Sequence, residues 1–317
     1  MNTGIEKVWK CIRQALPKSG KTCLWLLKII LPISLLVRLL QYSGLLGQFS
    51  AWLEPLFSVL GLPGETAIVF ITSVFCPLYA PIALISSMSL GVREATILAL
   101  MCLISHNLIV ESSVQAKTGS GFWEITVLRL LMSFVVALSL NWVMPHTGWG
   151  TVGVSISADR CDNLWDVFAL WFLSSMKVVM TILCIVTALM ILHYILEEFR
   201  LMRGLSAAFA PLMKLFGLPR DTAFLWLVGN LVGLAYGGAI MVEQVEQKKL
   251  SYKNGNLLNY HLAVNHSMLE DTIIFVAIGI PALWILVTRL IFAAAVVWLR
   301  RSYNHYVTQK TTYHEQR

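Results

Sequence analysis

The chain contains two copies of one pattern, and this internal repeat constrains its fold more than any other feature. Three short segments return 156 positions later: Pro55-Leu56, Gly61-Leu62-Pro63 and Glu65-Thr66-Ala67 as Pro211-Leu212, Gly217-Leu218-Pro219 and Asp221-Thr222-Ala223. Four residues return 160 positions later: His106, Glu111, Arg129 and Leu130 as His266, Asp271, Arg289 and Leu290. A weaker sequence similarity relates the segment around Lys28 to the segment around Lys177. We therefore expect two similar structural units, each with its own histidine, acid and arginine.

The composition is that of a membrane protein. Of the 317 residues, 57% are hydrophobic and only 13% are charged, whereas a soluble domain carries roughly a quarter charged residues. Long apolar stretches predict membrane helices at 24–40, 66–88, 95–110, 125–143, 167–192, 222–242 and 272–299. The sequence thus predicts an all-α polytopic membrane protein in contact with the lipid bilayer.

Charged residues divide the chain and orient it. The formal charge of +7 comes from basic residues at the edges of apolar stretches, so it does not indicate nucleic-acid binding. Residues 1–21 hold five basic residues against Glu6 alone and are expected to form a retained, cytoplasmic N-terminus. The predicted organisation then comprises a first repeat at 22–144, a polar linker at 145–164, a second repeat at 165–300 and a cytoplasmic tail at 301–317.

The two repeats are expected to have opposite orientations. Residues 41–64 contain no Lys or Arg, whereas the matching stretch of the second copy holds Arg200, Arg203 and Lys214. By the positive-inside rule the first stretch lies outside and the second inside, which predicts inverted repeats and cytoplasmic termini in an inner membrane.

Each repeat is predicted to contain an interrupted or re-entrant helix. The second copy leaves the cytoplasm and returns to it, which requires an even number of membrane crossings. It contains three apolar segments in between, so one of them cannot be a simple crossing. The candidates are 75–81, which contains Pro77 and Pro81, and 229–238, which is rich in glycine. Broken backbone at membrane depth lines cavities and binds solutes or ions. The alternative is that Gly229, Gly233 and Gly237 serve close helix packing.

Ionisable residues inside apolar segments are the candidate binding groups. They are His106 and Glu111 in the first copy, and His266, Glu270 and Asp271 in the second. Such residues mark transport pathways or proton relays, although helix ends at the interface also hold them. On a continuous helix, His266 and Glu270 would be i, i+4 neighbours. Further candidate polar groups are Asn107, Asn230 and Asn265.

Two arginines are candidate charge partners. Arg129 and Arg289 each follow their histidine by 23 residues, near the start of an apolar helix. They could pair with Glu111 and Asp271 or with an anionic substrate. The position favours the alternative that both side chains extend to the membrane interface.

The two copies resemble the Gate, or nucleoside-recognition, domain family. The similarity is carried by the Gly-Leu-Pro turns, by the motif from His106 to Glu111 and by the motif from Asn265 to Thr272. That family includes parts of concentrative nucleoside transporters, the membrane domain of ferrous-iron transporters and small bacterial proteins of the spore-maturation type. The resemblance to the small stand-alone members is greatest, and it implies two Gate-like domains over nearly the whole chain.

The function predicted from these features is secondary transport of a small solute, such as a nucleoside, between the two broken segments. A divalent metal permease is one alternative, because histidine and carboxylate ligate metals. A non-transport scaffold or a subunit of a hetero-oligomer is another, and a homo-oligomer is also open. We expect no enzymatic activity and no cofactor, because P-loop, nucleophile-elbow and HExxH motifs are absent. The six cysteines show no CxxC spacing and predict neither a disulfide framework nor a zinc site.

Overall fold

The computed structural model describes residues 2–148, 150–152 and 163–315, and within them the two copies have the same order of helices. The first copy contains α1 (Asn2–Tyr42), α2 (Leu45–Val59), α3 (Ala67–Phe75), α4 (Tyr79–Ser87), α5 (Val92–Ser105), α6 (Leu108–Ala116) and α7 (Phe122–Val143). The second contains α8 (Leu164–Glu198), α9 (Leu201–Leu215), α10 (Ala223–Leu231), α11 (Leu234–Glu246), α12 (Tyr252–Val264), α13 (Met268–Ala277) and α14 (Ala282–Glu315). A short antiparallel pair, β1 (Leu90–Gly91) and β2 (Thr151–Val152), adds to the first copy.

The Gly-Leu-Pro segments end α2 and α9 in the same way. Gly61 and Gly217 have φ of 72° and 73°, the left-handed conformation that glycine adopts without steric cost. The next residue donates its backbone N–H to the last turn, from Leu62 to Phe57 and from Leu218 to Met213. Proline then prevents the helix from continuing. The sequence repeat is therefore also a repeat of one local structure.

The two predicted helix interruptions are confirmed. Between α3 and α4, Cys76 is extended, as expected for a residue that precedes a proline, here Pro77. Between α10 and α11, Gly233 has φ of 94°. Different residues thus interrupt the helix at corresponding places in the two copies.

A second break follows in each copy, and this further pair was not predicted from the sequence. α5 ends at Ser105 and α6 begins at Leu108, while α12 ends at Val264 and α13 begins at Met268. Asn107 and Ser267 have φ of 47° and 48°, a conformation uncommon for residues with a side chain. His266 lies in the second break, so His266 and Glu270 are not i, i+4 neighbours on one continuous helix.

The chain divides into two compact units that do not coincide with the copies. Unit 1 comprises Met1–Leu108, Leu130–Phe199 and Asp271–Ile285. Unit 2 comprises Ile109–Arg129, Arg200–Glu270 and Leu286–Arg317, so it combines residues of both copies. The boundary predicted at residue 22 falls inside α1, and most of the predicted linker lies outside the described residues.

Each unit has a core around a helix that precedes one of the repeated histidines. In unit 1 the α5 residues from Ile97 to Ile104 are inaccessible to solvent, consistent with a helix that is apolar on all sides. In unit 2 the equivalent helix α12 is buried from Leu257 to Val264, apart from the half-buried Tyr260, and its leucines pack in one core with Trp226. Both histidines thus follow directly on a helix that lies in the core of its unit.

Several described helices suit a membrane by length and composition. Three qualify alone: Phe122–Val143, Leu164–Glu198 and Ala282–Tyr306. The number rises to five if two bent pairs, Ser50–Val59 with Gly64–Phe75 and Val92–Ser105 with Leu108–Ala116, each count as one span. The pairs bend by 98° and 42°, so interrupted spans accompany straight ones.

Candidate functional site

Each unit contains a joint at which one broken helix is hydrogen-bonded to another. In unit 1 the backbone N–H of Asn107 donates to the carbonyls of Ser73, at 2.9 Å, and Cys76, at 3.1 Å. In unit 2 the N–H of Ser267 donates to the carbonyl of Gly229 at 2.8 Å. Ser73 and Gly229 occupy matching repeat positions. The unusual φ at Asn107 and Ser267 thus points an amide at a carbonyl near the end of a short helix.

Unit 2 brings together ionisable residues of both copies. Glu111 Oε2 lies 2.6 Å from an Arg129 guanidinium nitrogen and 3.3 Å from His266 Nε2. Arg129 and His266 are fully buried, and Glu111 is 8% exposed. The low dielectric of such a site strengthens the attraction between these groups. It also makes a buried charge strongly destabilising when its partner is removed. We call Glu111, Arg129 and His266 the buried triad.

The second arginine supports the histidine through the backbone. Arg289 is fully buried, and its Nε donates to the carbonyl of Val264 at 3.2 Å. Another guanidinium nitrogen donates to the carbonyl of His266. The Val264 carbonyl lies at the end of α12, where the helix itself supplies no donors, and the His266 carbonyl lies in the break that follows. The interpretation that placed both arginines at the membrane interface is wrong, because neither side chain is exposed.

The hydrogen bonds of His266 fix where its protons lie. Its Nδ1 is 2.7 Å from the carbonyl of Leu262, which only accepts, so Nδ1 carries a proton. Its Nε2 faces the Glu111 carboxylate at 3.3 Å. Two lone pairs would repel there, so the pair is stable when it holds one further proton, on Nε2 or on the carboxyl group. The His266 ring and the Glu111 carboxylate therefore hold one proton between them at this contact.

Three buried polar groups near the joint of unit 2 offer unused hydrogen-bonding capacity. Asn230 donates from Nδ2 to the carbonyl of Trp226 at 2.9 Å, and Trp226 Nε1 donates to His261 Nδ1 at 3.3 Å. Among the described residues, Asn230 Oδ1, Asn265 Oδ1 and His261 Nε2 have no hydrogen-bond partner. A buried polar atom without a partner is costly, which makes a bound polar molecule an effective partner.

A polar network fastens the turn between α6 and α7 to α12, and we call it the hairpin clamp. Asn259 Nδ2 lies within 2.9–3.1 Å of the Gln115 carbonyl and the hydroxyls of Thr118 and Ser120. Gln115 returns a hydrogen bond to the carbonyl of Asn259 at 3.0 Å. Because Gln115 lies one helical turn, about 6 Å, beyond Glu111 on α6, the clamp also positions the carboxylate of the triad.

The clamp ends in a partly exposed ion pair. Glu124 accepts hydrogen bonds from the backbone of Gly121, at 2.9 Å, and from the Tyr260 hydroxyl, at 2.6 Å. Arg300 lies 2.8 Å from the same carboxylate and donates to Asn256 at 3.0 Å. Residues of α7, α12 and α14 are thus joined at one end of unit 2.

The remaining candidates lie in or beside the breaks. His106 is buried in unit 1, with Nδ1 3.0 Å from the carbonyl of Leu103. Asp271, 4% exposed, belongs to unit 1, and Glu270, which is half-buried, belongs to unit 2. Asn107 takes part in the joint of unit 1 through its backbone.

Sequence reasoning missed His261 and the clamp. Asn256, Asn259 and His261 lie on α12, a segment that is too polar to count as an apolar stretch. The available signal was three polar side chains within one short helix directly before the repeated histidine. The sequence carries no comparable signal for Glu124, Tyr260 and Arg300, because nothing in their spacing links them.

Comparisons with known proteins found a family model, a curated relative and a solved structure that are similar to this chain. Residues 23–117 match the family model named Gate, described as nucleoside recognition. The uncharacterized membrane protein YvoD of Bacillus subtilis is 32% identical over 275 residues, which cover 86% of this chain and 88% of that protein. A double variant of CNTnw, solved in an outward-facing state, has a TM-score of 0.46 and 13% identity, with 94% of this chain and 86% of the other covered.

Proposed function

The chain belongs to the family of membrane proteins that includes YvoD of Bacillus subtilis, and on that premise we propose that it is a secondary transporter or permease for a small polar solute. The observation that carries this proposal is the buried triad, in which Glu111 and Arg129 of one copy meet His266 of the other. Buried ionisable groups in a membrane protein are expensive, and they typically belong to a solute or ion pathway.

The polar groups at the joint of unit 2 favour a neutral solute with several hydrogen-bonding groups. Asn230 Oδ1 and Asn265 Oδ1 accept hydrogen bonds, and the His261 ring donates from Nε2 because its Nδ1 accepts from Trp226. Ribose hydroxyls and the amide edge of a base supply matching groups. A nucleoside is therefore our first choice of substrate, in keeping with the Gate match over 23–117. The triad would then couple solute binding to movement of an ion.

Inverted orientation of the two copies is part of the proposal, and it gives a first test. The charge contrast between 41–64 and the second Gly-Leu-Pro turn supports it. Single cysteines at Ser50 and Ser206, in a background without the native cysteines, should react with an impermeant thiol reagent from opposite sides of the inner membrane. A cysteine appended after Arg317 should react from the same side as Ser206→Cys. Labelling of both repeats from one side would contradict the inversion.

Binding is tested by thermal stability of the purified protein against nucleosides, nucleobases, carboxylates and divalent metals. At 100 times its dissociation constant a ligand stabilises the folded state by about 2.7 kcal/mol. We expect a nucleoside to raise the Tm of the wild type and to leave that of the variant His106→Ala/His266→Ala unchanged.

The matched control is His146→Ala, which removes an exposed histidine and should keep the ligand response. Uptake of the same nucleoside into vesicles should follow the Tm result in all three proteins. A response to a divalent metal alone would favour the metal permease. The absence of any response in well-folded protein would contradict a binding site and favour a scaffold or a subunit of a larger complex.

A further inference from the structure

The second Gly-Leu-Pro turn carries an exposed surface that combines cations with large apolar side chains. We call Lys214, Leu215, Arg220, Trp298 and Arg301 the turn patch. Trp298 donates from Nε1 to the carbonyl of Leu215 at 3.0 Å, and Arg301 donates to the carbonyl of Gly217 at 3.0 Å. The Arg301 guanidinium lies 5.1 Å from the centre of the Trp298 ring. Two hydrogen bonds therefore hold the α14 part of the patch, Trp298 and Arg301, to the turn.

Part of the patch lies near the end of a helix that is long and apolar enough to span a membrane. Trp298 and Arg301 lie near the end of the candidate span Ala282–Tyr306. Leu215 and Trp298 are 67% and 47% exposed, and Tyr303 and Tyr306 on the same helix end are also exposed. Tryptophan, tyrosine and basic residues at the end of a span are typical of the interface between acyl chains and headgroups.

The turn itself does not require the positive charge. The first Gly-Leu-Pro turn has the same glycine conformation, yet it borders a cavity of about 660 Å³ lined by Glu54, Glu65 and Glu94. In the second copy, residues 200–220 contain four basic residues and no acid. Asp221, the next residue, accepts a hydrogen bond from Asn254 at 3.0 Å. Since one backbone structure tolerates either charge, Lys214 and Arg220 are not required to form the turn.

We propose that the turn patch binds the phosphate of an anionic phospholipid, with Lys214, Arg220 and Arg301 around the headgroup. Leu215 and Trp298 then contact the upper part of the acyl chains. Basic residues near a membrane surface attract anionic lipids, each by about 1 kcal/mol. This inference goes beyond the proposed function, because it holds whether or not the protein transports a solute.

The test measures phosphatidylglycerol binding to protein in phosphatidylcholine nanodiscs by native mass spectrometry and by Tm. Removing the three cations in Lys214→Gln/Arg220→Gln/Arg301→Gln should weaken phosphatidylglycerol binding roughly 100-fold, which corresponds to about 2.7 kcal/mol. Because Arg301 also holds the turn, the variant Lys214→Gln/Arg220→Gln keeps that hydrogen bond, and we expect roughly 25-fold weaker binding from it.

The control Lys117→Gln/Lys248→Gln/Lys249→Gln removes three exposed lysines outside the patch and should change the affinity only slightly. Equal losses in patch and control variants would overturn the proposal, because they would show a general charge effect. Stabilisation by inorganic phosphate equal to that by phosphatidylglycerol would also overturn it, since the site would then recognise free phosphate. Retained nucleoside uptake in the patch variants separates this result from the proposed function.

Discussion

Replacing Arg129 by methionine will lower the free energy of unfolding by about 3–5 kcal/mol, because it leaves the buried carboxylate of Glu111 without its arginine. His266 alone compensates that charge less well, since its nearest ring nitrogen is 3.3 Å away, against 2.6 Å for Arg129. Denaturation in detergent, followed by circular dichroism, measures the change. Uptake of solute should also be lost, because the carboxylate is no longer held in its native position.

Two further variants separate the buried charge from general damage. The double variant Arg129→Met/Glu111→Leu removes both charges and should recover most of the lost stability while uptake stays absent. Lys10→Met breaks an exposed ion pair with Glu198 at 3.2 Å and should change stability by about 1 kcal/mol or less. If the double variant were as unstable as the single one, the pairing of Glu111 with Arg129 would not explain the effect.

Replacing Gly255 by alanine will destabilise the protein by about 3 kcal/mol, although alanine is the better helix former. A Cβ at Gly255 would lie 2.1 Å from the backbone carbonyl of Thr118, so α12 and the turn of the hairpin clamp would have to separate. The hydrogen bonds of Asn259 to Gln115 and Thr118 would lengthen with that movement. Since the clamp positions Glu111, we expect weaker binding of the solute as well as a lower Tm.

Gly204→Ala is the matched control for this substitution. Gly204 lies in α9, and a Cβ there meets nothing within 4 Å. The same chemical change should therefore stabilise the protein by about 0.5–1 kcal/mol, through the lower backbone entropy of the unfolded chain. If both variants raised the Tm, the close contact between Gly255 and Thr118 would be disproved. If both lowered it equally, a cause common to the two glycines would explain the loss, and the contact with Thr118 would not.

The parts of the fold that the sequence predicted correctly are those with local causes. The Gly-Leu-Pro turns end helices because glycine adopts positive φ and proline stops the helix. Since the same three residues occur in both copies, the same local structure occurs twice. The first pair of breaks was predicted from Pro77 and from the glycines at 229 and 233. The second pair carries no such signal, because Asn107 and Ser267 adopt positive φ to reach a carbonyl on another helix.

The sequence predicted which residues belong to the candidate site, but it did not predict which of them contact each other. Glu111, Arg129 and His266 were identified as ionisable residues in apolar segments, but each histidine was expected to act with the acid of its own copy. The hydrogen-bonding atoms of His261 and Asn259 were missed, because a polar residue on a buried helix has no distinctive spacing. Burial, which turns these residues into candidates, depends on helices distant along the chain.

The sequence by itself determined that this chain is a helical membrane protein with two copies of one helix order, since hydropathy and turn chemistry act over a few residues. Only the tertiary structure decided that Glu111 and Arg129 of the first copy share a site with His266 of the second. It also decided that both arginines are buried, against the interfacial position that their place in the helices favoured. The physical reason is that pairing of buried charges is settled by which helices pack together, and local sequence does not encode that choice.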